Sequence, residues 1–152
     1  LSRFHDIGKQ SLPRSIIQKG GKLTLEERRI LQQHPALGVR LLRSIPALRQ
    51  YPYYDVLCDI CLHHHERWDG GGYPDGLTGR HITPYVHVVA MADAYDALRT
   101  ARPYKHPLSH SEAMSMLCGG ACGAFNPEMI ACLREIPGTF FAACYGEACR
   151  VG

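Results

Sequence analysis

No apolar run in this sequence approaches the ~20 residues that a membrane-spanning helix needs. The opening Leu1-Ser2-Arg3-Phe4 has no charged segment with an apolar stretch behind it, so no signal peptide is expected. Charge of either sign is nowhere concentrated: no block of like charge exceeds the pair Arg28-Arg29, and the net charge is only +3. That argues against a nucleic-acid polymer or a membrane surface as the main partner, although a small anion needs only a local site. Regular cysteine spacing is missing as well. The seven cysteines are an odd number, and Cys58-x-x-Cys61 and Cys118-x-x-x-Cys122 both fall in helical stretches far apart in sequence. Buried reduced thiols are therefore expected rather than a disulfide framework or a structural zinc, and with them a reducing, cytoplasmic setting.

What is present is ordinary in bulk and unusual in detail. With 152 residues, 45% hydrophobic and 20% charged, the chain is long enough to bury the core of one globular domain. Helix signals dominate it. Thr24-Leu25-Glu26-Glu27 and Ser109-His110-Ser111-Glu112 are capping boxes, Thr83-Pro84 reads as an N-cap with Pro at the first helical position, and Asn126-Pro127 opens a last short helix through Leu133. Leu25, Ile30 and Leu31, then Leu37, Leu41, Leu42 and Ile45, trace an apolar face that Pro35 should break just after His34. A second helix is expected from about Tyr53 to His65, with Val56, Leu57, Ile60 and Cys61 inward, and a strongly apolar one from Tyr85 to about Leu98. Between them, Glu66 to Thr83 is rich in Gly and too irregular for helix or strand. The expectation is an all-α fold over residues 1–136, followed by a loosely attached tail over 137–152.

Nine histidines are the unusual detail. His5-Asp6 pairs an imidazole with a carboxylate, a donor set suited to divalent metals, and a carboxylate can bridge two ions. His63-His64-His65 sit beside an apolar face, where successive helical residues point about 100° apart and so suit two neighbouring ions better than one. Asp93 lies in an almost wholly apolar helix, where a buried carboxylate demands a cationic partner; Asp96, three residues on, is its rival. The loop Asp69-Gly70-Gly71-Gly72-Tyr73-Pro74-Asp75-Gly76 lets backbone approach a ligand closely and offers the Tyr73 ring for stacking. Arg102-Pro103-Tyr104-Lys105 places two cations after the Asp93 helix.

In this order and spacing, the strings His5-Asp6-Ile7-Gly8-Lys9, His34, His64-His65-Glu66-Arg67-Trp68-Asp69-Gly70-Gly71-Gly72-Tyr73-Pro74, Ala90-Met91-Ala92-Asp93-Ala94-Tyr95-Asp96-Ala97-Leu98 and Arg102-Pro103-Tyr104 resemble the HD-GYP family over roughly residues 1 to 135. That family is a branch of the HD-domain metal-dependent phosphohydrolases. The resemblance implies an HD-domain helical bundle with a Gly-rich signature loop. It implies two divalent ions, or three with an upstream helix, Fe or Mn being the metals expected. His5, Asp6, His34, His64, His65 and Asp93 would ligate them, Asp6 as the bridge. Lys9 would stand by the phosphate, Gly72, Tyr73 and Pro74 would border the substrate, and Arg102 and Lys105 would contact its phosphates or guanine.

The implied activity is hydrolysis of cyclic di-GMP to pGpG and onward to GMP, by in-line attack of a water that the metals activate and Lys9 assists. The implied partner is a diguanylate-cyclase-type (GGDEF) domain at the Gly-Tyr-Pro loop. The family carries an upstream helix bearing a Glu and a His, and here the sequence begins four residues before His5. The 152 residues alone are therefore expected to show a frayed N-terminus, weak metal binding and low activity. Two other readings fit the same residues: a catalytically incomplete module that binds cyclic di-GMP or a partner, and an HD hydrolase of another nucleotide.

Overall fold

Side-chain capping sets where three of the helices begin. In the computed structural model, which describes residues 2–101 and 106–140, seven α-helices follow one another: α1 Arg14–Ile17, α2 Leu25–Leu31, α3 His34–Arg43, α4 Tyr54–His63, α5 Pro84–Arg99, α6 His110–Cys118 and α7 Pro127–Glu135. Among the described residues no strand forms, only an isolated bridge between Asp69 and Thr78, so the fold is all-α. Thr24 Oγ1 accepts from Glu27 N at 3.2 Å while the Glu27 carboxylate accepts from Thr24 N at 2.7 Å, a complete capping box. Ser109 and Glu112 repeat it at α6, and Asn126 Oδ1 accepts from Glu128 N at 2.8 Å to open α7.

Thr83 stands at the N-cap position of α5 but does not cap. Its hydroxyl donates instead to Asp59 Oδ2 at 2.8 Å, tying α5 to α4. Pro84 behind it has no N–H to satisfy, which lowers the need for a cap. The expected break at Pro35 is displaced. α2 ends at Leu31 and α3 already starts at His34, with Pro35 in the first turn, where its missing N–H leaves no helical bond unmade.

The core has connected parts. Val39, Leu42, Leu57 and Cys61 join α3 to α4, with Ile7 packed against them. Ile60, Ile82 and Val86 join α4 to α5. Tyr95, Leu98, Ala113, Leu117, Phe125 and Leu133 join α5 to α6 and α7, and Phe140 lies edge-on to Tyr95. Two residues assigned to the apolar face of α2 and α3 are not in it: Leu25 is 80% exposed, in the first turn of α2, and Ile45 is exposed past the end of α3. Cys58, Cys61, Cys118 and Cys132 are free thiols, and burial pushes the Cys61 thiol up to about 12, an inert core group as expected.

From Ser2 the N-terminal segment forms two 3-10 turns, Ser2–Phe4 and Ile7–Ser11, the second packed on α3 through a pair of glycines. A Cβ on Gly8 would overlap the His34 carbonyl oxygen and the backbone of Gly38, while one on Gly38 would press on Gly8 N and Cys61 Sγ. This backbone-to-backbone contact holds His5 and Asp6 against the start of α3. It predicts that Gly8→Ala destabilises the protein by about 1–3 kcal/mol or more, since backbone must move to admit a methyl. Gly20→Ala, at a position with no neighbour within 4 Å, should stay within about 0.5 kcal/mol. Chemical denaturation measures both, and an unchanged midpoint in Gly8→Ala would contradict the packing described.

Candidate metal centre

Four segments converge on one point. His5 and Asp6 come from the turn between the two N-terminal 3-10 turns, His34 from the first turn of α3, His64 and His65 from just past α4, and Asp93 from the middle of α5. One oxygen or nitrogen from each of Asp6, His34, His64 and His65 falls within 4.8 Å of the others, and the same holds for His5, Asp6 and Asp93. Asp6 belongs to both groups. His5 Nε2 lies 3.4 Å from Asp6 Oδ2 and 3.4 Å from Asp93 Oδ1, while His34 Nε2 lies 3.3 Å from Asp6 Oδ1. All six residues expected as ligands are thus together. Asp96 is exposed and belongs to neither group, so it is no rival to Asp93.

Backbone carbonyls orient the rings. His34 Nδ1 donates to Leu31 O at 2.8 Å, His64 Nδ1 to Cys61 O at 3.0 Å, and His5 Nδ1 to Ser2 O at 2.5 Å. A nitrogen facing a carbonyl carries the proton, which leaves the Nε2 lone pair of a neutral ring free. His34 Nε2 and His64 Nε2 then face each other at 3.2 Å with no proton between them. His5 Nε2 and Asp6 Oδ1 are buried without a hydrogen bond. Such an arrangement is repulsive unless a cation sits among the atoms, and a protonated-side anchor on each imidazole is how metal-binding histidines are held. The residues fit a divalent metal site.

Electrostatics agree. Burial, and then the charge of the neighbouring imidazoles, drives His64 down to about 4; burial drives His65 down to about 2. Both rings are neutral ligands at neutral pH. At His5 the lowering effect of burial is outweighed by the neighbouring Asp6 and Asp93 carboxylates, and the pKa rises to about 10. These two carboxylates favour positive charge at that nitrogen. Burial would raise Asp6, yet the adjacent His34 and His5 rings and the Lys9 ammonium hold it well below the usual carboxylate range. Asp93 is likewise held low against burial by His5.

The two adjacent histidines do not diverge by a helical step. α4 ends at His63, so His65 is free of the helix and its ring turns to within 4.1 Å of the His64 ring. The chain after it folds back. Glu66 is 1% exposed, and its carboxylate accepts from Asp75 N, Gly76 N and Leu77 N at 2.7–3.1 Å. A Cβ on Gly72 would strike the backbone of residues 65–67, so this glycine permits close approach of the loop to its own chain rather than to a ligand. Tyr73 consequently stacks on His65, 4.6 Å between centroids and 24° between planes, and Pro74 follows across a cis peptide bond at the exposed rim.

A cavity of about 400 Å³ opens beside the cluster, walled by Lys9, His65, Arg67, Tyr73, Asp93 and Leu98. Lys9 Nζ pairs with Asp6 Oδ2 at 2.5 Å. Arg67 donates to Glu66 O at 2.8 Å and Cys122 O at 3.1 Å and lies over the Phe125 ring. Glu66 and Arg67 were given no role from sequence, though a charged pair between an apolar helix and a glycine loop is a signal, because buried charge needs partners. His63 was read only as a neighbour of the pair; it bridges Asp59 at 2.5 Å and Asp75 at 3.0 Å, tying the loop to α4. Arg102 and Lys105 lie outside the described residues.

The convergence predicts which acid matters for metal. Asp6→Asn and Asp93→Asn should each strip bound metal, because the amide neither carries charge nor offers two equivalent acceptors. Asp96→Asn should retain it. Elemental analysis of the three purified variants checks this, and equal metal content in all three would contradict the grouping.

Comparison with known proteins bears on the same residues. A cyclic di-GMP phosphodiesterase response regulator, RpfG, of Xanthomonas campestris is 39% identical over 147 residues, taking in 92% of this chain and 38% of the relative. A cyclic di-GMP phosphodiesterase of Thermotoga maritima is 40% identical, over 84% of this chain and 33% of the relative. A 3'3'-cGAMP-specific phosphodiesterase 2 of Vibrio cholerae is 38% identical, over 88% of this chain and 25% of the relative. The chain therefore spans from a quarter to about two fifths of the length of these curated relatives. The profile of the HD domain matches residues 2–128, a stretch that contains His5-Asp6 and every other member of the cluster, and the chain belongs to the HD domain family.

Proposed function

We propose that this chain is the catalytic portion of an HD-GYP-type, metal-dependent phosphodiesterase that hydrolyses cyclic di-GMP to pGpG and onward to GMP. The observation that carries the reading is the meeting of three inward-facing imidazole nitrogens with Asp6 and Asp93 beside a cavity lined by cations. The names of similar proteins support a cyclic dinucleotide as substrate: of eight such relatives, five are named for cyclic di-GMP and three for 3'3'-cGAMP. The setting proposed is cytoplasmic; no helix among the described residues is long and apolar enough to cross a membrane.

In this reading two divalent ions, Fe or Mn, would be held by the two groups that share Asp6, one with His34, His64 and His65 and the other with His5 and Asp93. When bound, such ions supply Lewis acidity that favours hydroxide from water at neutral pH and offset the charge of a phosphodiester. The chain's own residues do the rest. Lys9 Nζ, fixed by Asp6, stands in the cavity wall, where it stabilises negative charge growing on a phosphoryl oxygen. Burial raises the Tyr73 hydroxyl above its ordinary pKa, so it stays protonated and donates to substrate oxygen. Lys9 and Tyr73 are the protonated groups through which the leaving ribose oxygen can be served. Leu31, Ala94, Ala97 and Leu98 form an apolar wall that limits water beside the reacting phosphate. Arg102 and Lys105, following α5 in sequence, complete the anion-binding set, and the exposed rim from Pro74 to Gly76 offers a surface to a diguanylate-cyclase-type domain.

Chromatography of cyclic di-GMP incubated with the Mn- or Fe-loaded full-length protein should show pGpG appearing, abolished by a chelator and restored by added metal. Lys9→Ala should lower kcat by about a hundredfold, the loss usual for one preorganised charge-stabilising donor, with metal content unchanged. Binding of cyclic di-GMP without any product from the fully metallated protein would favour the binding-module reading instead.

A further inference from the structure

A second cavity, of about 670 Å³, adjoins Lys9 and contains none of the metal-cluster residues in its lining. Lys9 lines both cavities, so the two meet at the residue placed beside the phosphate. The cleft is built from the Ile7–Ser11 turn and α1, by Gln10, Leu12, Arg14, Ile17 and Gln18. No residue of the mechanism above uses it apart from Lys9. Its lining holds two cations and no carboxylate, and it carries two side-chain amides over an apolar floor, with Leu12 buried and Ile17 exposed to 41%.

These are the groups that read a purine base. Arginine offers a fork of donors that matches guanine O6 and N7, and a glutamine amide both donates and accepts along a base edge. Leu12 and Ile17 give a base face an apolar surface. The size argument points the same way. Small-molecule sites run roughly 300–1,000 Å³, and the cavity at the metal cluster, about 400 Å³, is at the small end for a ligand of two nucleotides. Because Lys9 lines both cavities, a cyclic dinucleotide with one phosphodiester at the cluster can extend its other nucleotide past Lys9 into the cleft.

We infer that the cleft of Gln10, Arg14 and Gln18 receives the second nucleotide of a cyclic dinucleotide and selects guanine there over adenine. This rests on the phosphodiester reading of the neighbouring site. Adenine presents an amino donor where guanine presents the O6 acceptor, so Arg14 discriminates by leaving a donor facing a donor.

The test is the preference between cyclic di-GMP and 3'3'-cGAMP, measured on the metal-loaded full-length protein both as kcat/KM and as Kd by calorimetry. Arg14→Ala and Gln18→Ala should raise KM and Kd for cyclic di-GMP, by about tenfold for Arg14→Ala as one charge-assisted contact is lost. They should change kcat little and bring the ratio of the two substrates towards one. Arg14→Lys, which keeps the charge and loses the fork, should retain part of the affinity and lose most of the preference. Arg40→Ala, on the exposed side of α3, is the control that leaves all four quantities unchanged. An unshifted preference or an unchanged Kd for cyclic di-GMP in both Arg14→Ala and Gln18→Ala, with either substrate bound or turned over, overturns the cleft alone. A wild-type protein that neither binds nor cleaves either molecule overturns the cleft together with the reading beneath it.

Discussion

The Nε2 atoms of His34 and His64, held with their lone pairs turned toward one another beside Asp6, form a constraint that the polypeptide alone does not relieve. Each of the two rings is fixed from behind by a carbonyl, Leu31 for His34 and Cys61 for His64, so neither can turn its donor into the cluster without breaking that bond. His34 and His64 are almost completely buried, and so no bulk water screens the 3.2 Å approach of their Nε2 atoms. A buried polar atom left unpaired costs about 1–3 kcal/mol, and several such atoms meet here. A cation resolves all of them together, which is why the cluster reads as a metal centre and not as a structural network.

Much of the surrounding fold serves that convergence. The glycine pair Gly8 and Gly38 lets the N-terminal turn lie directly on α3, bringing Asp6 to His34. Termination of α4 at His63 frees His65 to join His64. Glu66 then gathers three backbone N–H groups of the following loop, and His63 clasps the same loop through Asp75, so Tyr73 is delivered onto His65. α5 supplies Asp93 on one side while its other residues, Tyr95 and Leu98, are anchored in the core with α6 and α7. The pieces that carry the cluster are also packed against one another in the core, the N-terminal turn and α3 on α4 and α4 on α5.

Helix existence was legible in the sequence because it is local. The capping boxes at Thr24 and Ser109 and the cap at Asn126 act within four residues, and all three form as read. What misled was tertiary. Thr83 is drawn off its cap by Asp59, twenty-four positions away, and Leu25 and Ile45 follow the helical period yet have nothing to pack against. The ligand types were legible because an Asp in an apolar helix and a run of histidines are costly without a shared purpose. Their common location followed only from the family resemblance, since the Gly8–Gly38 contact and the end of α4 that bring it about leave no local pattern. Glu66 and Arg67 were passed over because their partners are backbone groups of a loop, which leave no pattern in side-chain chemistry.

The central claim is that Asp6 joins two cation positions, one shared with His34, His64 and His65 and one with His5 and Asp93. Diffraction from crystals of the Mn- or Fe-loaded protein, collected on either side of the metal absorption edge, tests it directly. The account predicts two anomalous peaks, both within ligand distance of Asp6, with His34 and His64 on one and His5 and Asp93 on the other. A single peak that leaves either group unliganded, or peaks away from Asp6, would contradict it.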